Sequence, residues 1–369
     1  MPPKKAPKEK EDVVDSNFSD VFSVVEKLNP DACTLSEDSL SNVEDWIDTG
    51  NYAMNAIISG SLFGGIAVGR ISGFVGPQQT GKSLIMNKIL INAQKKGYIP
   101  MIWDTESAQD KESFQRLGGD VTKVKYMPVG TIEDCRNQIL MFVNAAIEKN
   151  LKQKVIICID SLGNLGTRKD LADAESDKGS TDMGLKAKHM GAMLKSLTFR
   201  VAKARIPLIF SNHIYDDPAA MYPSLIKKTS GGRSPLYVAS LLVQLSQSNI
   251  KVADDIKEAS ELSGKISGSY LNAFITKNRF NIPYLDTDMY LNFKTGLDQY
   301  SGLLALAVKS GIITQTGSTY TMDGKKLGYA KSFELDPKFW DGEVLQKLET
   351  VIKKEFKYSD EQTPETPAE

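Results

Sequence analysis

Apolar residues recur along this chain of 369 residues with two different periods. Short apolar runs read as strands: Arg70–Val75, Ile99–Asp104, Lys123–Met127, Val155–Asp160, Ile206–Phe210, Val238–Leu245, Leu271–Thr276 and Tyr290–Phe293. Between them, spacings of three and four predict helices over Ser83–Ala93, from about Ile132 to Asn150, and from Met183 onward, where Met190, Met193, Leu194, Leu197 and Val201 share a face. Strands alternating with helices predict an α/β fold built on a mostly parallel twisted sheet. Upstream, Phe18, Val21, Phe22, Val24, Val25 and Leu28 predict an amphipathic helix that stops near Asn29-Pro30; its stripe must fold back on the core or dock on another copy. Beyond Asp298 the elements shorten to a helix at Leu303–Val308, a hairpin over Tyr320–Leu327 turning at Asp323-Gly324, and an amphipathic helix over Gly342–Phe356.

Two stretches break the alternation. Leu162 to Asp182 is polar and aperiodic, carries Arg168, Lys169 and Lys178, and reads as a mobile loop. Ile214 to Ser234 interleaves Tyr215, Met221, Tyr222, Leu225 and Ile226 with Lys227, Lys228 and Arg233. Loops this long inside a domain are usually functional or disordered. Exposed aromatics beside cations suit stacking on bases and contact with phosphates. The expected divisions are a disordered tail (1–16), an N-terminal helical segment suited to oligomerisation (17–45), a core (46–298) with loops near 162–182 and 214–234, a small α+β domain (299–358), and an acidic tail (359–369).

Composition narrows this picture. Hydrophobic residues make up 41% and charged residues 25%, as in an ordinary globular protein. The net charge of −1 supplies no global basic field, so any polyanion site must be local. Cys33, Cys135 and Cys158 lack metal-ligand spacing, and Cys158 sits in an apolar run, which suits a reducing compartment. No apolar stretch approaches a membrane span, so the expected location is cytoplasmic, without membrane attachment.

The chemistry gathers at Gly76-Pro77-Gln78-Gln79-Thr80-Gly81-Lys82-Ser83, which fits G-x-x-x-x-G-K-[ST] at every fixed position and runs on through Leu84. A strand precedes it and a helix follows. Gly76 and Gly81 let the backbone turn consecutive N–H groups inward as an anion nest at a helix N-terminus. Lys82 is placed to reach nucleotide phosphates, and the Ser83 hydroxyl to hold Mg²⁺. Asp104-Thr105-Glu106 ends the next strand, at the edge where open α/β sheets handle ligands. Val155–Ile159 then delivers Asp160, a single carboxylate suited to the Mg²⁺ shell of ATP.

The order of these pieces resembles the RecA family of strand-exchange recombinases, and within it the UvsX-type recombinases of tailed phages. The similarity runs from about Asp48 to Phe356 through Ile47-Asp-Thr-Gly50, Gly69-Arg-Ile71, the phosphate loop, Trp103-Asp-Thr-Glu106, Ile159-Asp-Ser161, Met183-Gly-Leu185, Ser211-Asn-His213, Ser230-Gly-Gly232, Lys277-Asn-Arg279, Ala307–Ile312 and Asp323–Gly328. Asn212-His213, Met221-Tyr222 and Tyr300–Leu304 lean toward the phage branch.

The resemblance implies a RecA-like ATPase core that forms filaments on single-stranded DNA, accepts a duplex, and couples DNA-stimulated ATP hydrolysis to strand exchange, with a single-strand-binding protein and a loading mediator as possible accessory partners. It implies that Glu106 activates the attacking water, that His213 senses the γ-phosphate, and that Lys277 and Arg279 reach the γ-phosphate of a neighbouring subunit. The two long loops would line the filament axis, with Met221, Tyr222 or Ile226 wedged between base steps. Relatives stack a tyrosine on adenine where this chain has Ser113, beside Phe114. The rival readings are a hexameric helicase-type motor, a low-turnover ATP-binding mediator, and a small-molecule kinase. Removing Ser359–Glu369 is expected to ease duplex binding at low salt.

Overall fold

The computed structural model describes residues 16–35, 39–176, 183–215, 226–250, 268–292 and 296–356. The sequence readings of residues 1–15 and 357–369, and of Lys178, Met221, Tyr222 and Leu225, lie outside them. The chain divides into two compact units, Met1–Val43 and Glu44–Glu369. In the first, helix α1 (Ser16–Leu28) carries Phe18, Val21, Val24, Val25 and Leu28 on its exposed surface, with Phe18 stacked on Phe22 at 6.0 Å between ring centroids.

The second unit opens with β1 (Trp46–Ile47), α2 (Tyr52–Ser59) and β2 (Ile66–Ala67), and β1 pairs antiparallel with β2. Its large sheet grows from β3 (Ile71–Gly76), α3 (Lys82–Lys95), β4 (Ile99–Asp104), α4 (Lys111–Arg116), β5 (Lys125–Pro128), α5 (Ile132–Glu148), β6 (Val155–Asp160), α6 (Arg168–Glu175), α7 (Met183–Lys203) and β7 (Leu208–Tyr215). It continues through β8 (Lys228–Thr229), α8 (Ser234–Val238), β9 (Leu241–Ile250), β10 (Gly268–Asn278), β11 (Asp286–Asn292) and β12 (Gly296–Leu297). The strand order is β12-β11-β10-β9-β3-β7-β6-β4-β5, with β8 paired to β7. The run from β9 to β5 is parallel throughout, and β10 to β12 extend it antiparallel.

Helices cover both faces of this sheet, so inner parallel strands such as β3 and β6 are buried on both sides, while the edge strand β5 is largely exposed. β6 shows the division: Ile156 and Cys158 join the core beneath α3, while Ile157 and Ile159 join the core beneath α5 and α7. Both cysteines on this framework are buried thiols, and burial pushes the Cys135 thiol up to about 12. The chain ends in α9 (Leu303–Lys309), the sheet β13 (Thr314–Thr316), β14 (Thr319–Met322) and β15 (Lys325–Gly328), α10 (Pro337–Trp340) and α11 (Glu343–Glu355). The expected hairpin turn falls at Asp323-Gly324, both with positive φ. Leu303, Phe333, Trp340, Leu345 and Leu348 form a third core that closes over Ala53 and Ala56 of α2. Glu349 locks this packing: its carboxylate accepts from the Ser61 hydroxyl at 2.6 Å and the Leu62 N–H at 2.7 Å. Among the described residues no helix is long and apolar enough to cross a membrane.

Three readings need correction. The stretch from Leu162 is not an aperiodic loop throughout, because a 3-10 turn spans Leu162–Asn164 and α6 follows. Thr167 and Asp170 form a capping box that starts α6, and none of its residues is buried. A helix with no buried residue leaves no apolar stripe to read. The strand expected from Val238 begins instead at Leu241, since Pro235 seeds the short helix α8 first. The strand expected from Tyr290 is the last part of a longer one, Asp286–Asn292, whose alternating aspartates face solvent; Phe293 lies outside the described residues.

Candidate functional site

The ladder registers bring four strand ends together. Gly76 of β3 stands beside His213 of β7, Ile159 of β6 beside Phe210, and Asp160 beside Asp104 of β4. Side chains just past these ends therefore meet above one edge of the sheet. There, Gln78, Gln79, Thr80, Gly81, Lys82, Ser83, Leu84, Glu106, Asp160, Ser161, Asn164, Ser211 and His213 line a cavity of about 530 Å³.

The phosphate loop follows from its own steric limits. A Cβ on Gly76 would stand 2.6 Å from the Leu245 carbonyl oxygen and 2.7 Å from Thr80 Oγ1, and Gly81 has φ 76°. Side chains are excluded at the first position and disfavoured at the second. Thr80 Oγ1 donates to the Pro77 carbonyl at 2.9 Å, closing the turn from within. Lys82, at the start of α3, is buried, and its ammonium folds onto the Gly76 and Pro77 carbonyls. Burial pulls the Lys82 amine below its ordinary range, against the Asp160 and Glu106 carboxylates, which favour its charge. This cation lies among carbonyls that an incoming anion can replace.

The acids are held with equal definition. Asp160 accepts from the Ser211 hydroxyl and from Ser83. Burial pushes the Asp160 carboxyl above the usual carboxylate range, the two serine bonds oppose this, and nearby Glu106 and Asp104 add to it. Glu106 Oε1 accepts from Ser161 Oγ at 2.8 Å and stands 3.7 Å from His213 Nε2. Asp104 turns its carboxylate back onto the Glu106 and Gln109 N–H groups and the Tyr126 hydroxyl, which fixes the backbone beneath Glu106. Thr105 Oγ1 donates to the Ser161 carbonyl and accepts from the Ser161 N–H, both at 2.9 Å. Ser161 and Ser211 thus orient the two acids. They adjoin strand-end motif residues in sequence, which is the signal that marks them.

A divalent ion fits this donor set on limited terms. Among the described residues no group of three or more His, Cys, Asp or Glu is arranged to hold a metal. Ser83 and Asp160, already in contact, supply two oxygen donors, leaving other positions to water and phosphate. That sparse protein ligation suits Mg²⁺.

Other expected residues fall elsewhere. Arg168 and Lys169 open α6 on an exposed face, and the Arg168 guanidinium pairs with Asp134 while its backbone N–H donates to Glu133. Ile226, Lys227 and Lys228 lead into β8, and Arg233 is the exposed N-cap of α8. Phe114 is buried in the core, whereas Ser113 sits in the first turn of α4. Phe114 therefore has no face to offer adenine.

Lys277 and Arg279 lie at the opposite end of the sheet from the phosphate loop. Lys277 pairs with Leu242, which pairs with Gly73, and the Arg279 N–H bonds the Ser240 carbonyl. Ser240 in turn bonds Ile71, so the Arg279 backbone stands roughly 16 Å behind Gly76 along the strand direction at the usual rise per residue. The Lys277 ammonium donates to the Leu236 and Tyr237 carbonyls of α8, each at 2.7 Å, and burial with Arg279 beside it lowers its amine to about 8.

An α/β sheet with a phosphate loop at its central strand, a strand-end aspartate beside the loop's serine and a glutamate across the cavity defines a nucleotide-binding protein of the phosphate-loop class. The sequence matches the RecA N-terminal domain over residues 25–298, and the chain belongs to the RecA family. It is 26% identical to Protein RecA of Paenarthrobacter aurescens over 87% of this chain and 86% of that protein. It is 29% identical to Protein RecA of Bacteroides thetaiotaomicron over 80% and 83%, and 26% identical to that of Thermus thermophilus over 84% of each.

Proposed function

We propose that this protein is a DNA strand-exchange recombinase that assembles on single-stranded DNA with ATP and Mg²⁺, pairs it with a homologous duplex, and hydrolyses ATP in a DNA-dependent manner. The observation that carries the reading is the separation of its parts. Glu106, Lys82 and Asp160 share one cavity, while Lys277 and Arg279 stand behind it at the other end of the sheet. Cations placed there serve the cavity of a second copy rather than their own, as arginine fingers supplied in trans do. Hydrolysis then requires assembly.

In this reading Lys82 leaves the Gly76 and Pro77 carbonyls for the β- and γ-phosphates, and Gly76 to Leu84 wrap the phosphate chain. Ser83 and Asp160 would hold Mg²⁺, which when bound would supply charge neutralisation at the phosphates. Glu106, aimed by Ser161, orients and activates the attacking water, and His213 contacts the γ-phosphate. Arg168, Lys169, Lys178, Met221, Tyr222, Ile226, Lys227, Lys228 and Arg233 contact DNA along the two polar segments. Asn212-His213 and Tyr300–Leu304 support a place beside the UvsX-type phage recombinases, which would put the protein in a host cytoplasm with a single-strand-binding protein and a loading mediator as partners.

The test is ATPase rate with and without single-stranded DNA, with negative-stain images of the same samples. Strong stimulation with helical filaments supports the proposal and leads to a homologous-pairing assay. Stimulation with closed rings would replace it by a helicase-type motor, and neither stimulation nor assembly by a mediator.

A further inference from the structure

Lys186 lies in the first turns of α7, half-buried, and is absent from every role described so far. Its ammonium donates to the Gly163 carbonyl at 2.7 Å. Gly163 belongs to the 3-10 turn that leaves β6, one residue before Asn164 of the cavity wall. The turn is wedged from the other side as well. A Cβ on Gly163 would stand 3.0 Å from Asn212 Oδ1 and 3.1 Å from His213 Cδ2 at the end of β7. Asn212 Nδ2 donates to the Ser230 carbonyl at 2.8 Å, and the Ser230 N–H returns to the His213 carbonyl at 2.9 Å.

The contacts make a continuous knot. From the cavity it runs through Asn164 and Gly163 to Lys186, which anchors the turn to α7; through Asn212 and His213 it runs to Ser230, just past β8. The same turn leads on through Thr167 into α6, whose capping box uses Asp170, and the Asp170 carboxylate favours the charge on Lys186 against its burial. The amine serves as a polar fastener, tying the backbone of a turn that lies close to His213 to the helix that bounds the first polar segment, in addition to the apolar core that Leu162 and Leu165 share with α7.

We propose that Lys186 is a positioning residue that couples the nucleotide cavity to α6 and to the segment around Ser230 by holding the Gly163 carbonyl against α7. With the tie in place, a change at His213 or Asn164 moves turn and helix as one body. Without it, the turn relaxes locally and the change stops there. For the DNA-facing half of its consequence, this inference rests on the recombinase reading.

The test uses the full chain with Lys186→Met, which keeps the length of the side chain but removes the donor, and Lys186→Arg, which keeps a donor. Hydrogen exchange of residues 168–175 is followed with and without a non-hydrolysable ATP analogue and Mg²⁺, alongside ATPase rate with and without poly(dT). In the unmodified chain the analogue changes exchange across α6. In Lys186→Met that change is lost and DNA stimulation falls by about fivefold or more, while analogue affinity and the DNA-independent rate stay within about twofold. Lys186→Arg recovers most of both. If Lys186→Met does not fold, Lys186→Gln, whose shorter side chain falls short of the Gly163 carbonyl, must produce the same uncoupling.

The proposal is overturned if α6 in the unmodified chain ignores the analogue, or if Lys186→Met responds as the unmodified chain does. Absence of DNA stimulation in the unmodified chain would instead sink the recombinase reading, and the exchange data would still decide the coupling.

Discussion

Replacing Lys277 with arginine should extend assembly of this protein into alkaline solution. Burial and the adjacent Arg279 lower the Lys277 amine to about 8, from an ordinary 10.5. Because the folded value is depressed, the side chain is cationic below pH 8 and loses its charge as pH rises through that value. About 90% is protonated at pH 7 and about 10% at pH 9, where an unperturbed lysine would remain almost fully charged. If this cation must meet an anion on the next chain, each contact formed above pH 8 takes up a proton. The association constant then falls toward about tenfold per pH unit. Arginine keeps its charge throughout.

Sedimentation of the chain with a non-hydrolysable ATP analogue and Mg²⁺, at fixed ionic strength between pH 7 and 9.5, reads this directly. The concentration for half-assembly should rise by roughly fivefold from pH 8 to 9 in the unmodified chain and by under about twofold in Lys277→Arg. Parallel curves for the two proteins would mean that the Lys277 charge takes no part in assembly. Fold stability should run the other way. Between pH 8 and 10.5 the unfolded chain holds more protons at this site, so the folded state gains as pH rises.

Other expectations are simpler. Glu106→Gln should lower hydrolysis by about a hundredfold or more while nucleotide affinity, measured with a fluorescent analogue, is retained; near-normal turnover would remove Glu106 from the chemistry. Asp134→Asn releases the Arg168 guanidinium, so affinity for single-stranded DNA should tighten by roughly two- to fivefold at low salt and converge at high salt. No change at either salt would mean Arg168 does not touch DNA. Glu349→Ala removes the buried acceptor of Ser61 and Leu62 and should cost about 2–4 kcal/mol, lowering Tm by roughly 5–10 °C. A shift below about 2 °C would show that α11 is held by its apolar face alone.

The phosphate loop, the strands that flank it and both strand-end acids were legible because each is a local pattern: a fixed spacing, or an apolar run closed by a carboxylate. α6 was not, since a helix without a buried face has no periodicity and its only mark is the Thr167–Asp170 cap. The β1–β2 pair was also hidden, being two residues per strand and joined across α2. Lys186 and Ser211 could not be assigned because their partners, Gly163 and Asp160, are brought to them by the strand order. Phe114 could be read as core or as an adenine platform from sequence; its burial against α3 settles which.

Lys277 and Arg279 at one end of the sheet and Gly76–Ser83 at the other give each molecule a direction. A row of copies joined front to back under the proposed contact has two unlike tips. One tip chain holds a cavity that nobody completes, and the other holds cations with nothing to act on. A row therefore always contains one fewer working site than it has members, so turnover per molecule climbs with row length before levelling off. Each break idles one more site, and the nucleotide at the uncompleted tip outlasts those inside. Such a row ages from its interior while its end stays youngest.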